Sequence, residues 1–358
     1  MQGGSPIGAG SVGAAGPELV SGVLAIDAGN SKTDVALVSA EGQVLGTARG
    51  GGFVPHLVGA EAAVAGLAPL VAEAAAEAGF DLTAAQAPLA THLSACLANA
   101  DLPVEEQLLQ ELIAGRGWSR TTVVANDTFA LLRSGTDAPR GVAVVCGAGI
   151  NCVGLLPDGR TARFPALGMI TGDWGGGGGL ANEVMWAASR AEDGRGPQTA
   201  LAPAAAAHFG LPSAGAVAEA VHLGEIPEGR LHELVPVLFA VAEAGDPTAL
   251  ALIDRQADEV VRLAVVALRR LDLLDSSADV VLGGGVLASR QPLLLDGVNA
   301  RLAADAPYAV PRIVTTPPVV GAALLGLDHL TAAGLGGTPG AQERLRASYA
   351  LRRAARAV

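Results

Sequence analysis

The chain has 358 residues, half of them hydrophobic and only 16% charged, a composition that supports a large buried core and excludes a disordered or fibrous polymer. Such a length suggests two domains, or two lobes of one unit. With 35 acidic against 23 basic residues the formal charge is −12, which argues against broad electrostatic binding to nucleic acid or to an anionic membrane and leaves a small molecule as the default partner.

Much of the hydrophobicity is Ala and Gly, and the longest uncharged stretches, such as 141–157 and 196–218, are interrupted by Gly, Pro, Asn or His, so neither reads as a membrane span. Residues 1–22 are rich in Gly, Ala and Ser without the basic start and unbroken apolar segment of a signal peptide; a disordered leader and a cytoplasmic protein are expected. Cys96, Cys146 and Cys152 form no C-x-x-C pair and support neither a disulfide framework nor a zinc site, which leaves buried reduced thiols.

Val23–Ile26, Val35–Ser39 and Val44–Thr47 read as antiparallel strands joined by tight turns. Residues 59–78 have helical spacing and stop at Gly79, and 89–97 reads as a buried strand. Pro103, followed by Glu105 and Glu106, opens a helix ending near Gly115, because proline suits the first turn and carboxylates suit its positive dipole. Thr121–Ala125 is the next strand, closing on Asn126-Asp127.

After Gly135 the scheme repeats, with strands at Gly141–Cys146 and Cys152–Leu156 around the Gly147-Ala148-Gly149 turn. From Gly175 to about Leu274 several helices are expected, the most regular at 246–274. Strands at Asp279–Leu282 and Ile313–Val314 and a helix at 317–333 follow, and the Arg-rich segment 342–358 reads as a solvated helix or frayed tail, or as a helix that binds a partner. The division is thus a leader (1–22), a first lobe (23–125), a second lobe with a helical insertion (126–335) and a basic tail or helix (336–358).

Three glycine turns each follow an apolar strand: Asp27-Ala-Gly29-Asn30-Ser31-Lys32-Thr33, Gly147-Ala148-Gly149 and Gly283-Gly284-Gly285. Bare peptide N–H groups at such turns can approach phosphate oxygens closely. None is a Walker A loop, and none fits the G-x-G-x-x-G of a dinucleotide fold.

The order of the three turns, with Asp27 ending the first strand and Asp127 following the strand before the second turn, resembles the actin-like ATPase superfamily of sugar kinases, acetate kinases and heat-shock ATPases. Within it the chain is most similar to the BadF/BadG/BcrA/BcrD group, and there to the N-acetylglucosamine kinases. The similarity rests on Ile26–Thr33, Asn126-Asp127, Gly147–Cys152, Gly168-x-x-x-Gly172-Asp173, Leu282–Gly285 and Pro317–Ala323, which run in the group's order through nearly the whole chain. It implies an α/β fold of two actin-like (ribonuclease H-like) lobes, each a mixed sheet flanked by helices, with ATP in the cleft between them. It further implies Mg²⁺, an amino-sugar substrate, and a homodimer through the helical second lobe.

Residue by residue, the resemblance makes Asp127 the acceptor of the attacking hydroxyl's proton, a role that coexists with helix capping. Asp27 would hold Mg²⁺ through water, unless it merely ends its strand. Gly29, Asn30, Ser31, Lys32 and Thr33 would flank the β- and γ-phosphates, with Lys32 pointing equally well to solvent; Gly147, Ala148 and Gly149 form the second phosphate loop, and Gly283, Gly284 and Gly285 the adenosine loop. Asn126, Asn151, Gly168 and Asp173 match sugar-contacting positions, with structural turn roles as the alternative.

His56 lies in the segment resembling the group's sugar-contacting loop, where Pro55 replaces a common Asn. Trp174 stands where related sequences have Glu, offering a platform for a sugar face or a core side chain, and the five glycines after it suggest a mobile loop or a close backbone approach. The activity implied is phosphorylation of an amino sugar, N-acetylglucosamine at its 6-hydroxyl first. A sugar-sensing protein of the same fold is the alternative, and a dehydratase-activating ATPase a lesser one, because its bridging iron–sulfur cluster needs cysteines placed otherwise.

Overall fold

The computed structural model describes residues 20–82 and 88–356. The first 19 residues of the expected leader lie outside this range, whereas Val20–Gly22 already belong to the first strand. The first lobe runs β1 (Val20–Ala28), β2 (Thr33–Ser39), β3 (Val44–Gly50), α1 (Pro55–Val58), α2 (Ala60–Ala65), α3 (Ala68–Glu77), β4 (Ala90–Leu97), α4 (Pro103–Ala114) and β5 (Ser119–Asn126). Its sheet has the order β3-β2-β1-β4-β5, with β1 antiparallel to β2 and parallel to β4.

The helix expected at 59–78 is broken between Ala65 and Ala68, because Pro69 lacks a backbone donor and starts a new helix. Period-two alternation divides the apolar residues of the sheet between its two faces. Leu24, Ile26, Leu37 and Leu93 pack under the helices of this lobe, while Val23, Ala25, Val38 and Cys96 face the other way.

The second lobe continues with α5 (Asp127–Gly135), β6 (Gly141–Cys146), β7 (Ile150–Leu155), β8 (Thr161–Arg163) and a 3₁₀ turn at Gly168–Thr171. Five helices follow: α6 (Gly176–Glu192), α7 (Leu201–Phe209), α8 (Ala214–His222), α9 (Leu234–Glu243) and α10 (Pro247–Arg270). The lobe then adds β9 (Ala278–Gly283), α11 (Gly285–Ala288), α12 (Pro292–Asp305), β10 (Ala309–Ile313) and α13 (Pro318–Ala332), and the chain ends in α14 (Ala341–Arg356). Its sheet, β10-β9-β6-β7-β8, repeats the first: an antiparallel meander extended by two parallel strands. No single helix among the described residues is long and apolar enough to cross a membrane.

Helices α5 and α13 pack on each other between the two sheets. Val319, Val320 and Leu324 of α13 join the Val23 face of the first sheet, and Phe129 and Leu132 of α5 pack against Ala143, Val153 and Val281 of the second. Their contact is set by Gly321, where a Cβ would lie 1.8 Å from the Ala130 carbonyl oxygen. Arg133, fully buried, donates to both Asp328 oxygens (2.7 and 3.2 Å), to Gln342 Oε1 (2.8 Å) and to the Thr136 carbonyl (2.8 Å). Every charged group in that knot is paired, as burial requires.

Of the basic C-terminal segment, residues 341–356 form a helix with one side packed on the protein and the other exposed. Helix α14 docks on the first lobe and on the end of α5: Leu345 is buried, Arg346 donates to the carbonyls of Ser134 and Thr136 (2.7 Å each), and Arg352 pairs with Glu77 (2.7 Å). Its arginines satisfy C-terminal carbonyls of α5 and the β3 edge, a use of charge invisible to composition.

Gly321→Ala should push α13 off α5 and lower stability by about 1–3 kcal/mol or more, as overpacking does. Urea unfolding of wild type and variant checks this, and an unchanged midpoint would refute the packing argument.

Candidate active site

The three glycine turns and both aspartates gather where β1, β5, β6 and β9 end, between the lobes. Gly29 N donates to the Lys32 carbonyl (2.8 Å), which closes the β1–β2 hairpin with Asn30, Ser31 and Lys32 exposed at its tip. Thr33 is buried as the first residue of β2, so it belongs to the sheet rather than to the exposed tip. Lys32 Nζ sits 3.6 Å from Asp34, with half of its side chain exposed.

Asp27, Asp34 and Arg49 are successive cross-strand partners and therefore share one face of the sheet. Arg49 grips Asp34 with two bonds (2.6 and 3.1 Å). Asp27 is buried and has no such grip, because Lys32 and Arg49 serve Asp34. Burial, then the charges of Asp127 and Asp34, push its pKa up to about 8.

Asp127 opens α5, and Asn126 caps it, its Oδ1 accepting from Thr128 N (3.0 Å). Burial raises the Asp127 pKa to about 6, against the lowering effect of hydrogen bonds from Thr128. Asn126 is held on every side: its backbone N–H donates to Glu106 Oε1 (3.0 Å), its Nδ2 to Asp101 Oδ1 (2.8 Å), and Asn151 Nδ2 of the second lobe donates to its Oδ1 (3.4 Å). Asp101 is likewise raised to about 6, by burial and by Asp127.

The second and third turns touch. A Cβ on Gly284 (φ +83°) would lie 2.4 Å from Cys146 backbone atoms. The five-glycine run is not a mobile loop: Gly175 is the N-cap of α6 and Gly176–Gly179 form its first turn, built onto the second glycine turn. Gly177 N donates to the Gly147 carbonyl (2.7 Å), Gly178 N to that of Ala148 (2.9 Å), and Gly176 N to Gln256 Oε1 (2.9 Å). A Cβ on Gly176 (φ +73°) would sit 2.5 Å from Gly149 C, which explains why no side chain is tolerated there.

The Gly168–Asp173 segment closes on itself, with Gly168 N (3.1 Å) and Thr171 Oγ1 (2.5 Å) both donating to Asp173 Oδ2. His56 is exposed on α1, beside a depression of about 190 Å³ bordered by Asn99 and Glu105, and Asn99 Nδ2 ties that wall to Asn30 Oδ1 (2.8 Å). Of the two readings of Trp174, the core side chain holds and the sugar platform does not: it is 5% exposed in the second-lobe core, its Nε1 donates to Glu183 (2.9 Å), and Arg255 covers its ring at 4.0 Å. A cleft of about 590 Å³ joins the first and third turns, lined by Lys32, Asp34, Arg49, Gly283, Gly284 and Thr316 among others.

Asp34, Arg49, Asp101, Glu106, Arg163 and Gln256 escaped the sequence reading. The first two could have been found from the hairpin register, which aligns them with Asp27; the others meet only through long-range packing. Among the described residues no group of three or more His, Cys, Asp or Glu side chains could hold a metal ion by itself.

Two mixed sheets of one topology, crossed helices between them and glycine turns at the cleft define an actin-like two-lobe fold. A Chromobacterium violaceum protein assigned by name as an N-acetylglucosamine kinase has this fold, with a TM-score of 0.65, 22% identity, and 86% of this chain and 99% of that one covered. So does a ROK family glucokinase from Streptomyces griseus in complex with glucose and AMPPNP, with a TM-score of 0.51, 18% identity, and 85% and 98% covered. Residues 24–326 match the BadF/BadG/BcrA/BcrD ATPase family, and the chain belongs to it.

In sequence the chain is similar to the N-acetyl-D-glucosamine kinase of Dictyostelium discoideum, 24% identical over 314 residues, with 85% of this chain and 97% of the relative covered. It is also similar to the N-acetylmuramic acid/N-acetylglucosamine kinase of Clostridium acetobutylicum, 24% identical over 190 residues, or 53% of this chain. That alignment spans 62% of the Clostridium protein's length.

Two outcomes follow from this geometry. Gly176→Ala, by displacing the second turn at a cost of about 1–3 kcal/mol, should weaken ATP binding roughly tenfold or more, read by calorimetric titration; unchanged affinity in a folded variant would separate α6 from nucleotide binding. Asp27 keeps a proton in the folded state up to a pKa of about 8, so its contribution to ligand-free stability is full below pH 3.8 and is lost as pH rises toward 8. Asp27→Asn should therefore gain stability relative to wild type as pH rises through that window, checked by denaturant titrations at pH 5 and pH 8.5.

Proposed function

We propose that the protein is an ATP-dependent kinase of an amino sugar, with the 6-hydroxyl of N-acetylglucosamine as the leading acceptor. The observation that carries this reading is Asp127: a carboxylate whose pKa burial raises to about 6, at the first position of a helix capped by Asn126 and close enough to Asp27, beside the first glycine turn, to raise that residue's pKa as well. A base poised just below neutral pH is ionised at pH 7 and still able to accept the proton of an attacking hydroxyl. Family membership supports ATP, and the names of the two relatives support the sugar class.

In this reading the backbone amides of Asn30, Ser31, Ala148 and Gly149 face the phosphates, with Gly283–Gly285 beside the adenosine. Asp27 fits a divalent cation, because its buried carboxylate lacks the cationic partner that Asp34 has. Mg²⁺ held there, with most of its ligands water and phosphate oxygen, would neutralise charge on the β- and γ-phosphates. Asn151, Gly168 and Asp173 come from the second lobe and Asp127 and Asn126 from the turn that joins the lobes, so lobe closure brings sugar contacts to the base and excludes water. A cluster bridging two subunits is disfavoured, because all three cysteines are buried and burial pushes the Cys146 thiol up to about 12.

The test is a coupled ADP-release assay with Mg-ATP on N-acetylglucosamine, glucosamine, N-acetylmannosamine, N-acetylmuramic acid and glucose. Turnover on N-acetylglucosamine is expected, with kcat falling as pH drops through about 6 and Asp127→Asn lowering it by roughly 10²–10⁴ while ATP still binds. Preference for another sugar would move the specificity change to Pro55 and its loop. No turnover on any, with ATP bound, would favour a sugar-sensing protein.

A further inference from the structure

We infer that Glu106 is a positioning residue for the Asn126-Asp127 turn and that Arg163, from the opposite lobe, controls it, so that one ion pair couples the proton acceptor to the sugar-contacting segment of the second lobe. The inference rests on the kinase reading for its kinetic part alone.

Glu106 stands in the first turn of α4, where a carboxylate would ordinarily do no more than complement the helix dipole. Instead its Oε1 accepts from the backbone N–H of Asn126 (3.0 Å) and from Arg163 Nη2 (2.8 Å), and its Oε2 accepts from Arg163 Nη1 (2.6 Å). A forked guanidinium–carboxylate pair of this kind is directional as well as strong. Its side chains are only 16% and 27% exposed, so solvent screens it poorly.

Arg163 is the last residue of β8, the edge strand of the second sheet, and five residues further along the chain reaches Gly168. The strand end is itself held, since Arg270 of α10 donates to the Arg163 carbonyl (2.8 Å). Its guanidinium also lies 5.5 Å from the ring centroid of Phe129, two residues beyond Asp127 on α5. One side chain thus touches α4, α5 and the strand that leads into the Gly168–Asp173 segment. Displacing Arg163 leaves the Glu106 carboxylate with only the amide of Asn126 and frees it to rotate away from the turn that aims Asp127.

The test uses the full chain and the variants Arg163→Met, Arg163→Lys and Glu106→Ala, each first shown to be folded by thermal melting. Hydrogen exchange at the Asn126 amide should accelerate several-fold in Arg163→Met, although that arginine makes no bond to this amide. In the kinase assay Arg163→Met should lower kcat roughly ten- to hundredfold and raise KM for the sugar, with KM for ATP within about twofold of wild type; Arg163→Lys, which keeps the charge without the fork, should lose less. Glu106→Ala/Arg163→Met should be no worse than the weaker single variant, as expected for two members of one unit.

Unchanged Asn126 exchange in Arg163→Met overturns the coupling, as do losses that multiply in the double variant or a fall in melting temperature with kcat and both KM values preserved. If wild type phosphorylates no sugar, the functional reading fails and the exchange experiment still decides the coupling.

Discussion

The molecule depends on the contact between α5 and α13. Two sheets with a polar cleft at one edge cannot pack face to face, so their inward apolar sides are filled by these two helices, brought to backbone distance by Gly321 and tied by the buried Arg133–Asp328–Gln342 knot. Because α5 begins with Asp127 and α13 follows the strand beside the third glycine turn, the contact that holds the lobes together also sets Asp127 relative to that turn. Helix α14, beyond the part of the chain matched to the family, caps the same knot through Arg346 and Gln342.

Three carboxylates are withdrawn from water near the ends of β1, β4 and β5, at a cost to the folded protein. Asp27, Asp101 and Asp127 are all held above the ordinary carboxylate range, burial being the first cause in each case. The nearby cations are committed elsewhere: Arg49 and Lys32 to Asp34, Arg163 to Glu106. Asp27 is thus left without a cationic hydrogen-bond partner, and Asp127 has its pKa raised to about 6. The backbone of the glycine turns, by contrast, is relieved of side chains wherever two turns meet, as at Gly176 against Gly149 and at Gly284 against Cys146.

Several features were legible along the chain because they are local. The β1–β2 hairpin, the three glycine turns and a helix start at Asn126-Asp127 follow from strand alternation, turn residues and a capping side chain, although the cap is Asn126 rather than the expected Asp127. The alternatives left open along the chain were decided by distant contacts. Trp174 could have faced a ligand or the core, and Arg255 and Glu183, from two other helices, enclose it in the core. The glycine run looked mobile because glycine is flexible in isolation; its amides are fixed by carbonyls of a turn about thirty residues earlier. The terminal arginines looked solvated because the carbonyls that receive them belong to a distant helix end.

Sequence alone determined the repeated hairpin scheme, the glycine turns and the placing of Asp27 and Asp127 beside strand ends, since each is encoded within about ten consecutive residues by periodicity or turn chemistry, and the α/β class followed from the family resemblance that these carry. Tertiary structure decided which charges are paired and which are left to a ligand. Glu106 and Arg163 are 57 residues apart, and nothing in either neighbourhood announces the other. Side-chain pairing across lobes is fixed by where sheets and helices finally pack, and that is a property of the folded chain rather than of any segment of it.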